Sequence, residues 1–77
     1  MIYKTYFKIP LERKESINLG KALKMFNEEN NVELHAQEYE NSMYTIRVES
    51  SEFLIGYETH FIAFKFGQVY RDVVLGL

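Results

Sequence analysis

The chain has no cysteine, one proline, four glycines and two histidines in 77 residues. Without cysteine there is no disulfide to staple a small fold, which points to a reducing compartment. A closed metal site would have to be built from both histidines and carboxylates. The one local pairing, Glu58 with His60 two positions on, falls short of the four ligands such sites need. No uncharged apolar run approaches the ~20 residues of a membrane-spanning helix; stretches such as HFIAF are far shorter. The opening MIYKTYFKIP is broken by Lys4 and Lys8 and does not read as a secretion signal. The expected location is cytoplasmic, with no membrane partner. A glycine-rich loop opening a helix is missing, and with it the nucleotide fingerprint. Local sequence suggests no serine–histidine–acid arrangement. No catalytic, cofactor-binding or metal-ligating residue is therefore assigned, and the expectation is that the protein is not an enzyme.

Hydrophobic residues make up 47% of the chain and charged residues 26%, a globular composition, with six Tyr and six Phe. One domain over residues 1–77 is expected. At this size folding buries only about 60–65% of the unfolded surface, so the stability margin is thin. Charge is unevenly spread within a net of −2. Residues 1–24 hold six basic against two acidic side chains, a net of +4; residues 25–77 hold three against nine, a net of −6.

The pattern along the chain predicts the elements. Residues 2–9 alternate, with Tyr3, Thr5, Phe7 and Ile9 on the core face and both lysines opposite. Pro10 ends that strand. Ser16 is a candidate N-cap, and Leu19, Ala22, Leu23 and Phe26 form the stripe of one amphipathic helix closing near Asn30–Asn31. Residues 32–39 and 43–49 alternate again around an ENS turn, with Tyr44, Ile46 and Val48 inward. Residues 53–58 read as a short strand. Residues 59–77 read as a closing hairpin turning at Gly67–Gln68. The fold class expected is α+β: a curved antiparallel sheet of four to six strands with a single helix across one face, in the order β-α-β-β-β-β.

One helix can dry only one side of such a sheet. The leftover apolar residues are Ile2, Tyr6, Tyr39, Met43, Phe61, Ala63, Tyr70 and Val74; of these Tyr6, Phe61, Ala63, Tyr70 and Val74 are the candidate interface, and the simplest occupant is a second copy, giving a homodimer. A second feature is the segment 28–58, with eight Glu and one Arg. Glu33, Glu38, Glu40, Glu49 and Glu52 form a candidate acidic face for an unidentified protein partner carrying a basic groove. The function expected is a non-enzymatic interaction module, self-associating through its sheet and inhibiting or adapting another protein, in the manner of a phage-type inhibitor of a nucleic-acid-handling enzyme. The alternative is a single-stranded nucleic-acid-binding sheet using Lys4, Tyr6 and Lys8, against which the sequence pI of about 5.6 weighs.

Overall fold

A computed structural model describes residues 1–76. The order is β1 (Tyr3–Pro10), a 3-10 turn (Arg13–Glu15), α1 (Ser16–Glu29), β2 (Glu33–Glu40), β3 (Met43–Ser50) and α2 (Gly56–Leu75). The three strands form one antiparallel sheet in the spatial order β1-β3-β2. Helix α1 therefore carries the chain from one edge of the sheet to the other, and β3 returns between them.

The sheet's two sides differ because one of them faces water. Phe7, Ile46 and Ala36 share a rung, as do Thr5, Val48 and Leu34; this side is the core side. It meets Leu19, Ala22 and Phe26 of α1 and Phe66 of α2, all buried. The opposite side carries Lys4, Glu49 and Glu33 on one rung and Tyr6, Arg47 and His35 on the next. Asn41 and Ser42 both have positive φ (53° and 59°), and Glu40 faces Met43 across them. This is the two-residue type I′ geometry that suits a twisted hairpin. A bulge at Gln37 shifts the β2 register between Ala36 and Glu38.

Among the described residues the sheet has three strands and there are two α-helices, which corrects the expected four to six strands and single helix. The error in the number of strands and helices lies beyond Ser50. Residues 53–58 are not a strand, and 59–75 form no hairpin; Gly56–Leu75 is one helix of 20 residues. Its inward stripe is Ile62, Phe66, Val69, Tyr70 and Val73, the i, i+4, i+7, i+8, i+11 pattern of an α-helix. Glu58 starts the helix by accepting the Ile55 N–H at 3.2 Å. Gly76 ends it in the left-handed region (φ 75°), its N–H returned to the Asp72 and Val73 carbonyls. Ser16, expected as the cap of α1, is instead its first helical residue.

Gly67 gives a direct check on this correction. It lies inside α2, and a Cβ added there meets no heavy atom within 4 Å. Gly67→Ala should stabilise the protein by about 0.5–1 kcal/mol through helix propensity, raising Tm by roughly 2–8 °C. At the first position of a type II′ turn the same substitution would lower Tm instead. Thermal unfolding followed by circular dichroism separates the two.

Candidate functional site

The residues nominated as an interface fall in several places. Tyr6 is on the water side of the sheet; Phe61 and Val74 are exposed on α2; Ala63 and Tyr70 are half-buried on the flanks of α2. Tyr6 and Ala63 come together across a hollow between β1 and α2, and Tyr70 and Val74 line another beside Pro10 and Leu11. Phe61 lines a third, with Leu54 and Tyr57.

Tyr70 has a structural task. Its hydroxyl donates to Glu15 Oε2 at 2.9 Å, tying α2 to the turn before α1. Burial, with the Glu15 carboxylate second, pushes the Tyr70 phenol up to about 12. Glu15 is held below its ordinary value by the Asn18 amide first and by Tyr70 second; Asn18 Nδ2 donates to it at 3.1 Å.

The surplus of apolar surface expected on the sheet sits on the helix. Opposite Phe66, the outward side of α2 shows Tyr57, Phe61 and Phe64, exposed to 76%, 58% and 66%. Leu75 continues this line at its far end, with Gln68 and Arg71 between. The spacing 57, 61, 64, 68, 71, 75 alternates four and three, which keeps one stripe in line along a helix. Tyr57, Phe64 and Leu75 were missed by a reading that placed them on strands, although their three–four spacing was there to be counted.

Four of the five nominated glutamates do share a surface. Glu33, Glu38, Glu40 and Glu49 fall on the water side of β2 and β3 by register. Glu52 lies beyond β3, its N–H bonded to Ser50 Oγ at 3.1 Å. Within this face His35 Nε2 stands 3.3 Å from Glu33 Oε2 and 3.8 Å from Glu49 Oε1, and Arg47 Nε stands 2.9 Å from Glu49 Oε2. Ligand atoms of Glu33, His35 and Glu49 lie within 4.8 Å of one another, the spacing a cation could use. The Arg47 guanidinium already holds one of those carboxylates. Arg47 and Glu49 form a partly exposed ion pair, of the kind worth about 0–1 kcal/mol, with His35 and Glu33 beside it. Glu58 and His60, paired on paper as strand neighbours, sit two apart on a helix and point in different directions.

Lys4, Tyr6 and Lys8 share the water side of β1, as alternation requires, next to Glu49, Arg47 and Thr45. The sheet surface is thus polarised, basic along β1 and acidic along β2. Among the described residues, no helix is long and apolar enough to cross a membrane. Comparisons with protein-family models, with curated proteins and with solved structures each find no match.

Proposed function

We propose that this protein is a small, non-enzymatic interaction module that pairs with a second copy of itself through the outward side of α2 and acts as an adaptor or inhibitor of another protein. The observation that carries it is the solvent-exposed Tyr57–Phe61–Phe64 stripe. Rings of this kind present roughly 150–250 Å² each when fully open, so the three at their exposures offer on the order of 400 Å². Ile55 before the helix and Val74 and Leu75 at its end, each more than half exposed, bring the area toward the ~800 Å² that one partner gives to a standard interface. An antiparallel pairing of two α2 helices about Phe66 sets Tyr57 beside Leu75 of the second copy and Phe61 beside its Arg71. A guanidinium over an aromatic face is attractive there.

The acidic margin of the sheet, Glu33, Glu38, Glu40 and Glu49, is then left free for a basic groove, such as nucleic-acid-handling enzymes present. The non-enzymatic reading is supported by the setting of the Glu33–His35–Glu49 group, which lies on an open sheet face and not in a cleft.

Each ring, once buried, contributes about 1.5–3 kcal/mol, less the losses of association, which places the dimer constant on the order of micromolar. Sedimentation across that range should show a monomer–dimer equilibrium. Phe61→Lys with Phe64→Lys should give a monomer throughout with unchanged circular dichroism. A wild-type chain that stays monomeric, or a double variant that still pairs, overturns the self-association.

A second reading, single-stranded nucleic-acid binding, is favoured by Lys4, Tyr6, Lys8 and Arg47 on one open sheet face and opposed by the four glutamates beside them. Salt-sensitive retention of an oligonucleotide, lost on Lys4→Glu with Lys8→Glu, is its signature.

A further inference from the structure

Strand β1 has a neighbour on one side only. It pairs with β3, and no other strand of the described residues lies against it. An edge of this kind presents unpaired N–H and C=O groups along its length, a template for another strand. Natural edges are commonly covered; this one is not closed off by α2. Two open hollows run along it between the strand and the segments above. One, of about 200 Å³, is lined by Tyr3, Lys4, Thr5, Phe53 and Leu54. The other, of about 380 Å³, is lined by Tyr6, Phe7, Lys8, Thr59, His60 and Ala63. Together they follow β1 from Tyr3 to Lys8.

We infer that this edge is a strand-acceptor slot: an extended segment of another protein adds to β1 as a fourth strand, apolar side chains turned in beneath α2 and acidic side chains turned out beside Lys4 and Lys8. The inference rests on the reading as an interaction module but not on pairing through α2.

Three observations carry it. Side chains of an added strand alternate between the two faces of the sheet. Those on the core side enter the hollows, beside Phe7 and Ala63 at one level and Phe53 and Leu54 at the other. Those on the water side continue the rungs of Lys4, Tyr6 and Lys8. Charge then selects the segment: no carboxylate lines either hollow, in a chain with eleven Asp and Glu against nine Lys and Arg.

The chain's own strands are poor occupants. A two-fold pairing of β1 with β1 of a second copy, centred on Tyr6, sets Lys4 against Lys8, and like charges directly opposite are unfavourable. Strand β2 has the right alternation and the right charge, but its edge is blocked. The Asn27 carboxamide takes both backbone groups of Leu34, accepting its N–H at 2.8 Å and donating to its carbonyl at 3.0 Å. The Gln37 bulge interrupts the rest. A foreign acidic-apolar strand remains, in the manner of strand addition, where main-chain bonds give affinity and alternate side chains give selectivity.

The test uses a fluorophore-labelled synthetic peptide of alternating valine and glutamate and the intact protein. Saturable binding is expected, with amide shift changes confined to β1, to Phe53 and Leu54, and to α2 around Thr59–Ala63. N-methylation of every second peptide amide, on the side facing β1, should weaken it at least about tenfold. So should Lys4→Glu with Lys8→Glu, and so should Ala63→Arg, which fills the larger hollow. Phe61→Lys with Phe64→Lys should leave peptide binding unchanged even if it abolishes the dimer, so failure here and failure of the self-association are told apart. No saturable binding, binding by an all-glutamate peptide of equal strength, or binding indifferent to N-methylation overturns the slot.

Discussion

Phe66→Ala should leave the protein barely folded, while Phe64→Ala, two residues away, should scarcely register. Phe66 is fully buried and is the one buried residue of α2. Its ring centroid lies 6.2 Å from that of Phe7 on β1 and 6.0 Å from that of Phe26 on α1, so all three packed elements meet there. Truncating a phenylalanine in such a place costs about 3–5 kcal/mol. A chain of this length has only about 4–12 kcal/mol in total. The urea midpoint should fall by about a quarter or more, or the transition should vanish. Phe64 is 66% exposed, and an exposed substitution of this kind stays within about 0.5 kcal/mol. The contrast is also a test of the element. On a helix the two side chains point about 200° apart; on a strand they share a face and would respond alike. Equal losses in the two variants would mean that 59–75 is not a helix.

That pair of residues also shows where the sequence stops being legible. Up to Ser50 the periods are easy to read because each element has a wet side. Lys4 and Lys8 mark one face of β1; Glu33, Arg47 and Glu49 mark the same face of β2 and β3; Lys21 and Lys24 mark the outside of α1. The stripe Leu19, Ala22 and Phe26 and the inward set Tyr44, Ile46 and Val48 are buried as alternation and helical spacing require. From Phe53 onward the polar side is missing. Helix α2 is apolar inward at Ile62, Phe66, Val69 and Val73 and apolar outward at Tyr57, Phe61, Phe64 and Leu75, so its pattern fits an alternating count almost as well as a helical one. Its phenylalanines, valines and tyrosines favour strands, and Gly67–Gln68 imitates a turn. The arbiters were Glu58 near the start, Gly76 just past the end, and twenty residues without a true turn cluster. The exposed rings Tyr57, Phe61 and Phe64 thus lie on a helix, not on the sheet where surplus apolar surface is expected. The β1 slot was not legible at all, since it depends on strand order, and that follows from α1 carrying the chain across the sheet.

Asn27→Ala should expose what keeps the two sheet edges unequal. Asn27 is on α1, yet its amide binds the Leu34 main chain as a neighbouring strand would, with one donor and one acceptor. Removing it strands an N–H and a C=O at the edge of β2, at a cost of about 1–3 kcal/mol. Asn27→Asp keeps the acceptor for the Leu34 N–H but sets a carboxylate against the carbonyl, so its loss should be comparable. The larger consequence is association. With Asn27 gone, the acidic, alternating edge of β2 resembles the segment that the basic edge of β1 is suited to take, and the contact is head-to-tail. Contacts of that type propagate unless their rotation closes a ring. Asn27→Ala should therefore scatter light in a concentration-dependent way while the folded fraction is still high, and Lys4→Glu with Lys8→Glu in the same chain should suppress it. A variant that is monodisperse and within about 0.5 kcal/mol of the parent would show that the carboxamide guards nothing, and that β2 is kept from β1 by the Gln37 bulge alone.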